Sequence, residues 1–168
     1  MKLYLVRHAE AVERTGTIPD ATRHLTSKGR SAFRKIARRV RKLGIAPDLI
    51  FSSPLIRAVQ TAEILSERLN HEGPVVVARE LSPGFDPRAL RSLLAKAGNP
   101  REAAFVGHEP DLGEVAASML ALPKGFPFRK GAVVALDVEG GGRKGTAKFL
   151  WRSDGKGTVT RLAEATGD

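Results

Sequence analysis

The sequence has 168 residues, 42% hydrophobic and 27% charged, and contains no cysteine. That length suits a single domain, 1–168, with a sizeable core, and the missing cysteines exclude disulfides and thiolate metal sites. Lysine and arginine outnumber aspartate and glutamate by 28 to 18, a formal net charge of +10 that points to an anionic partner or substrate. No apolar run approaches the roughly 20 residues that span a bilayer. Between Lys2 and Arg7 lie only four apolar residues, too few for a signal peptide. A cytoplasmic location and no membrane partner are therefore expected.

Leu3, Tyr4, Leu5 and Val6 form a short apolar run ahead of a polar turn, which reads as a buried strand. Arg7 and His8 follow where that strand should end. Ligands of open α/β sheets bind beyond the carboxyl ends of the strands. Histidine can act there as nucleophile or acid/base, and arginine binds oxyanions with a planar fork of donors. Residues 9–27 carry no period and read as a loop, long enough to be functional. It contains Gly16, Pro19, Asp20 and Arg23. Thr26 or Ser27 caps a helix over about 28–43, with Phe33, Ile36, Ala37, Val40 and Leu43 as its apolar stripe. The rest of that helix is basic (Lys28, Arg30, Arg34, Lys35, Arg38, Arg39, Arg41, Lys42) with no acid among them. Such a face is either a solvated surface or a docking face for an acidic partner.

A second strand spans 48–51. Ser52-Ser53-Pro54 then offers a capping serine and a proline at the first helical position. The helix runs to about Asn70, with Arg57 in its first turn. Backbone N–H groups and an arginine there make a phosphate site. Val75-Val76-Val77 is a third strand, ending near Arg79-Glu80, and a helix over about 87–97 is broken by Asn99-Pro100. A fourth strand, 103–106, leads directly into Gly107-His108-Glu109-Pro110, so a second histidine stands at a strand end. A helix over 111–122 and a loop over 123–129 follow. Segments 132–138 and 146–151 read as strands around the Gly140-Gly141-Gly142 turn, paired as a hairpin at the sheet edge. Residues 153–168 carry no pattern. The alternation predicts a three-layer α/β/α fold with a mainly parallel sheet and an antiparallel edge hairpin, without a cap domain. Arg7-His8, Arg57 and His108 then converge at one sheet edge, with Glu80 after a further strand.

Three stretches carry a family resemblance: LVRHAEA, SSPLIRAVQTAEIL and FVGHEPDL. In this order they resemble the motifs of the histidine phosphatase superfamily, also called phosphoglycerate mutase-like. The resemblance covers Lys2 to about Trp151, and the short length looks most like the SixA-type phosphohistidine phosphatases. It implies that His8 is a transiently phosphorylated nucleophile and that Arg7, Arg57 and His108 bind the phosphoryl group. Arg23 and Asp20, before LTSKG, match positions near the pocket of SixA-type members. Glu80, in RELSP, matches the proton donor of larger members, with Asp20 as the rival donor. Ala9 stands where the family usually has glycine, so its methyl is expected to crowd the backbone near the phosphate.

The chemistry fits the residues. Phosphoryl transfer needs positioning and charge stabilisation. Two arginines and a second histidine can neutralise the equatorial oxygens, which makes a metal or other cofactor unnecessary. Nearby cations disfavour imidazolium, so His8 should be neutral and nucleophilic, and water then hydrolyses the phosphohistidine. Neither histidine sits in an HExxH pattern, residues 140–144 do not fit GxxxxGK[ST], and no GxGxxG follows the first strand. Three function classes stand: a phosphatase of phosphohistidine on a protein, such as an acidic phosphohistidine domain; a phosphatase of small phosphate esters or anhydrides; and a non-enzymatic binder of anions or nucleic acid. The last lacks support, with aromatics at 5% and no nucleic-acid motif.

Overall fold

Seven strands, β1 (Lys2–Arg7), β2 (Leu49–Ser52), β3 (Val75–Val77), β4 (Glu102–Gly107), β5 (Val133–Val138), β6 (Ala147–Asp154) and β7 (Gly157–Val159), form one sheet in the order β3-β2-β4-β1-β5-β6-β7. The computed structural model describes residues 1–167. β1 to β4 pair in parallel, whereas β5, β6 and β7 are antiparallel. The predicted β5–β6 hairpin forms on one side of the parallel strands, with β5 paired to β1 and β7 added beyond β6 at the edge. β7 and a terminal helix lie in the segment that carried no sequence pattern.

Among the described residues five helices cover the sheet: α1 (Ser27–Lys42), α2 (Ile56–Leu69), α3 (Pro87–Lys96), α4 (Asp111–Leu120) and the short α5 (Leu162–Thr166). On β1, Leu3 and Leu5 pack with Leu90, Leu94, Val115 and Met119 of α3 and α4. Tyr4 and Val6 pack with Phe33, Ile36, Ala58 and Leu65 of α1 and α2. With both faces covered, β1 reads as a continuous apolar run rather than an alternation. Each buried large side chain contributes about 1.5–3 kcal/mol.

Local chemistry sets the starts of α1 and α3. The Thr26 hydroxyl accepts the Gly29 N–H at 2.9 Å and begins α1. A Cβ on Gly29 would lie 2.1 Å from the Glu10 carbonyl oxygen, so only glycine lets α1 sit against the segment after His8. Asp86 caps α3 through the Ala89 N–H, with Pro87 in its first turn. α2 departs from the expectation. It begins at Ile56 with no side-chain cap, and the Ser53 hydroxyl meets His108 at the carboxyl ends of the strands. The 9–26 segment folds back through an antiparallel bridge, Ala11 with Leu25, and a 3-10 turn at Asp20–Thr22.

Candidate active site

The order β2-β4-β1 places the carboxyl ends of three parallel strands side by side. Arg7 pairs with Gly107 in the β1–β4 register, and the His8 N–H donates to the Gly107 carbonyl at 3.0 Å. His8 and His108 therefore leave adjacent strands at the same level, with ring centroids 5.3 Å apart. Arg57 comes in from the first turn of α2 and Arg23 from the folded-back loop. Arg7, His8, Arg23, Arg57, His108 and Glu109 line a cavity of about 270 Å³, with Arg14, Asp111 and Lys130 at its walls.

His8 Nδ1 lies 2.7 Å from the Ala9 carbonyl oxygen. A carbonyl only accepts, so Nδ1 carries the proton and Nε2 keeps its lone pair. Burial is the main force that lowers the His8 pKa to about 4; the Ala9 hydrogen bond opposes it, and the charges of Arg57, Arg7 and Arg23 add to it. The sequence attributes a neutral His8 to neighbouring cations, but desolvation ranks first. His108 is 5% exposed, and burial, then the charges of His8 and Arg57, lower its pKa to about 3. The Ser53 hydroxyl accepts the Leu55 N–H at 3.3 Å and lies 2.7 Å from His108 Nε2. Donation by that hydroxyl puts the imidazole proton on Nδ1, which is buried and without a partner among the described residues.

The two arginines are fixed from behind. Arg7 Nη1 donates to the Phe128 carbonyl at 2.7 Å. Arg57, 3% exposed, donates from Nη1 to the Asp20 carbonyl at 2.8 Å and from Nη2 to Asp20 Oδ2 at 3.2 Å. Nε of each is buried without a partner among the described residues. Thr61 joins the segments that carry His8 and Arg57: its hydroxyl accepts the Ala9 N–H at 3.1 Å and donates to the Arg57 carbonyl at 2.7 Å. Ala9 packs its methyl into the apolar cluster below α1 and α2. The non-glycine residues with positive φ are Asn70, Asn99 and Ala121, so alanine at position 9 meets no backbone strain.

The expected proton donors do not reach the cavity. Glu80 pairs with Lys96 Nζ at 2.8 Å in an apolar groove beside β3, and that hydrogen bond holds its carboxyl below the ordinary range. It turns away because the 3-10 turn Arg79–Leu81 points Leu81 into the core. Asp20 binds Arg14 and Arg23 through Oδ1, at 3.1 and 3.0 Å, as well as Arg57. Burial works against its ionised form, but the hydrogen bonds of Arg23 and Arg57 win and keep it ionised. Asp20 is thus a clamp on the arginines. Sequence reasoning missed Ser53, Thr61 and Glu109. Thr61 stands four residues after Arg57, one helical turn on, and Glu109 sits beside His108, so both were visible as positions but not as contacts.

Residues 3–82 match the model of the histidine phosphatase superfamily (branch 1). An uncharacterized protein of Picosynechococcus sp. is 33% identical over 168 residues, 92% of this chain and 92% of that protein. The chain belongs to the histidine phosphatase superfamily. Phosphohistidine phosphatase SixA of Escherichia coli K12 is 27% identical to this phosphatase over 146 residues, covering 84% of this chain and 89% of that one. The solved structure of the protein histidine phosphatase SixA complexed with tungstate has the same fold, with a TM-score of 0.80 at 22% identity over 93% of this chain and 98% of that one. No helix among the described residues is long and apolar enough to cross a membrane.

Proposed function

We propose that this phosphatase, as a single 1–168 domain, removes phosphoryl groups from phosphohistidine on a protein through a phosphohistidine formed on its own His8. The observation that carries the mechanism is the His8–Ala9 contact. It fixes the proton on Nδ1, and burial keeps the ring neutral, so Nε2 is a nucleophile at neutral pH. An oxyanion would give acceptors to the unpartnered Nε donors of Arg7 and Arg57 and to His108 Nδ1. These donors stabilise the transferring phosphoryl group, and water then cleaves the P–N bond.

Two supports bear on the substrate. The first is the similarity to SixA over most of both chains. The second is the run of cations on α1. Its N-terminus lies against Glu10 at the site, and Arg34, Arg38 and Arg41 descend from there over about 21 Å at 1.5 Å per residue. A small ester cannot span that distance, whereas an acidic protein domain can. The test is an acid-labile label. Wild type incubated with a labelled phosphodonor should take up acid-labile phosphate, and His8→Ala should take up none while keeping its fold. A phosphohistidine protein should show kcat/KM values that fall with salt more steeply than those of a small phosphate ester. Label retained by His8→Ala refutes the nucleophile. Equal salt dependence of the two substrates refutes the docked protein and leaves a small-ester phosphatase.

A further inference from the structure

A half-buried carboxyl in the cavity has no task in the chemistry above. Glu109 follows His108 and lines the same cavity as His8, Arg7 and Arg57. Its carboxyl is held over the first turn of α4, where Oε1 accepts the Gly113 N–H at 3.0 Å. A Cβ on Gly113 would lie 2.4 Å from the Phe126 carbonyl oxygen and 3.1 Å from Glu109 Oε2, so glycine there makes room for both. The Phe128 backbone adds a second hydrogen bond.

Charged groups surround Glu109 on every side. Arg7 stands at the end of β1, Asp111 in the first turn of α4, Lys130 in the segment before β5, and Arg14, Arg23 and Arg57 across the cavity; His108 is neutral. Burial raises the Glu109 pKa to about 7, against the opposing pull of Arg7 and the two backbone hydrogen bonds, and Asp111 pushes the same way as burial. Asp20 and Glu80, by contrast, are tied to cations and stay ionised. The cavity, at about 270 Å³, is about 8 Å across if spherical, so a phosphoryl group bound inside it lies within reach of the Glu109 carboxyl directly or through one water.

We propose that Glu109 carries the proton in both halves of the reaction. This rests on the phosphohistidine reading above. In the first half, His8 Nε2 bonds to phosphorus, the bond from phosphorus to the leaving atom breaks, and the Glu109 carboxylic acid protonates that atom. In the second half, the Glu109 carboxylate takes a proton from water. The water oxygen bonds to phosphorus, the P–Nε2 bond breaks, and inorganic phosphate leaves with Glu109 protonated as at the start. One residue serves both halves because its two protonation states are nearly balanced at neutral pH.

Glu109→Gln keeps the shape and the acceptor for Gly113 but cannot exchange the proton. The readout is kcat/KM on p-nitrophenyl phosphate, whose leaving group needs no acid, and on an alkyl phosphate, whose leaving group does. The aryl value should stay within about threefold, and the alkyl value should fall by about a hundredfold or more. Turnover of the aryl ester should also fall, with a burst of about one equivalent of nitrophenol and acid-labile phosphate left on the enzyme. If both kcat/KM values fall by one factor while inorganic phosphate binds more weakly, Glu109 only positions Arg7 and the proposal fails; unchanged kinetics also overturns it. Wild type supplies a check that needs no variant. Its alkyl-to-aryl ratio of kcat/KM should fall as pH rises through about 7, and a flat ratio overturns the proposal. A wild type that forms no acid-labile phosphoenzyme would instead overturn the phosphohistidine reading itself.

Discussion

Thr61→Val isolates the link between the segments that carry His8 and Arg57. Valine matches threonine in shape but has no hydroxyl. Thr61 is 0% exposed and Ala9 2%, so no water replaces the lost acceptor. The Arg57 carbonyl lies within α2 and keeps its helical partner, so the cost falls on the Ala9 N–H. A buried donor left unsatisfied costs about 1–3 kcal/mol. For a chain of this size each kcal/mol shifts Tm by about 2–4 °C, which predicts a fall of about 2–12 °C. Ala9 also supplies the carbonyl that holds His8 Nδ1, so the substitution loosens the proposed nucleophile. We expect kcat/KM to fall at least about tenfold, the equivalent of about 1.4 kcal/mol. Thr61→Ser is the control: it keeps both hydrogen bonds and loses one methyl, about 0.8 kcal/mol. Calorimetry and steady-state kinetics on a phosphate ester measure both variants. A Thr61→Val protein that melts within 1 °C of wild type and keeps kcat/KM within about twofold would refute the linkage.

Arg57→Lys keeps the charge but not the fork that spans Asp20 and the cavity, so kcat/KM should drop about tenfold or more; a loss under about twofold counts against a phosphate-gripping role. Glu80→Gln should leave kcat/KM unchanged on aryl, alkyl and phosphohistidine substrates and cost only an ion pair worth about 0–1 kcal/mol, and any substrate-dependent loss would return Glu80 to the site. His8 and His108 resist protonation in the native state until about pH 4 and about pH 3, whereas the unfolded chain takes up those protons near 6.5. Stability present above about pH 6.5 should therefore be lost as pH falls towards 4, and His8→Asn and His108→Asn should each lessen that loss in urea melts taken across the range. Glu109 works in the opposite sense. Its raised pKa makes the native state bind more protons than the unfolded chain between about 4.5 and about 7, so stability from this group is lost as pH rises through that window. Glu109→Gln should accordingly gain in Tm over wild type as the pH goes up, and a difference independent of pH would show that its carboxyl is not desolvated.

Periodicity located the elements well where both chemistry and burial repeat. The apolar run ending at Arg7-His8, the stripe of α1 and the strand before His108 were legible because each is one regular element with a polar end. α2 shows the limit. Ser52-Ser53-Pro54 has the composition of a helix start, yet the helix begins at Ile56, and Ser53 bonds His108 from the neighbouring strand end. A contact 55 positions apart in sequence leaves no local trace. Glu80 fails for a related reason. It stands after a strand end, but β3 is an edge strand of three residues, and the turn that follows sends its carboxyl to Lys96. Glu109 was within the quoted motif and still escaped notice, because its distinguishing property is desolvation, which depends on what packs over it.

The level pairing of Arg7 with Gly107 in β1 and β4 divides the proposed site into two kinds of material. The histidines are bolted to the central strands of the sheet, where a slip of one residue would turn every buried side chain to the wrong face and cost the core itself. Arg14 and Lys130 belong to surface segments that can lengthen, shorten or change composition at little cost. Selection can thus replace the walls of the cavity while the floor stays put. In this architecture, new substrates should be acquired by altering residues 13–19, 82–84 and 129–130, and the reaction should persist through such exchanges.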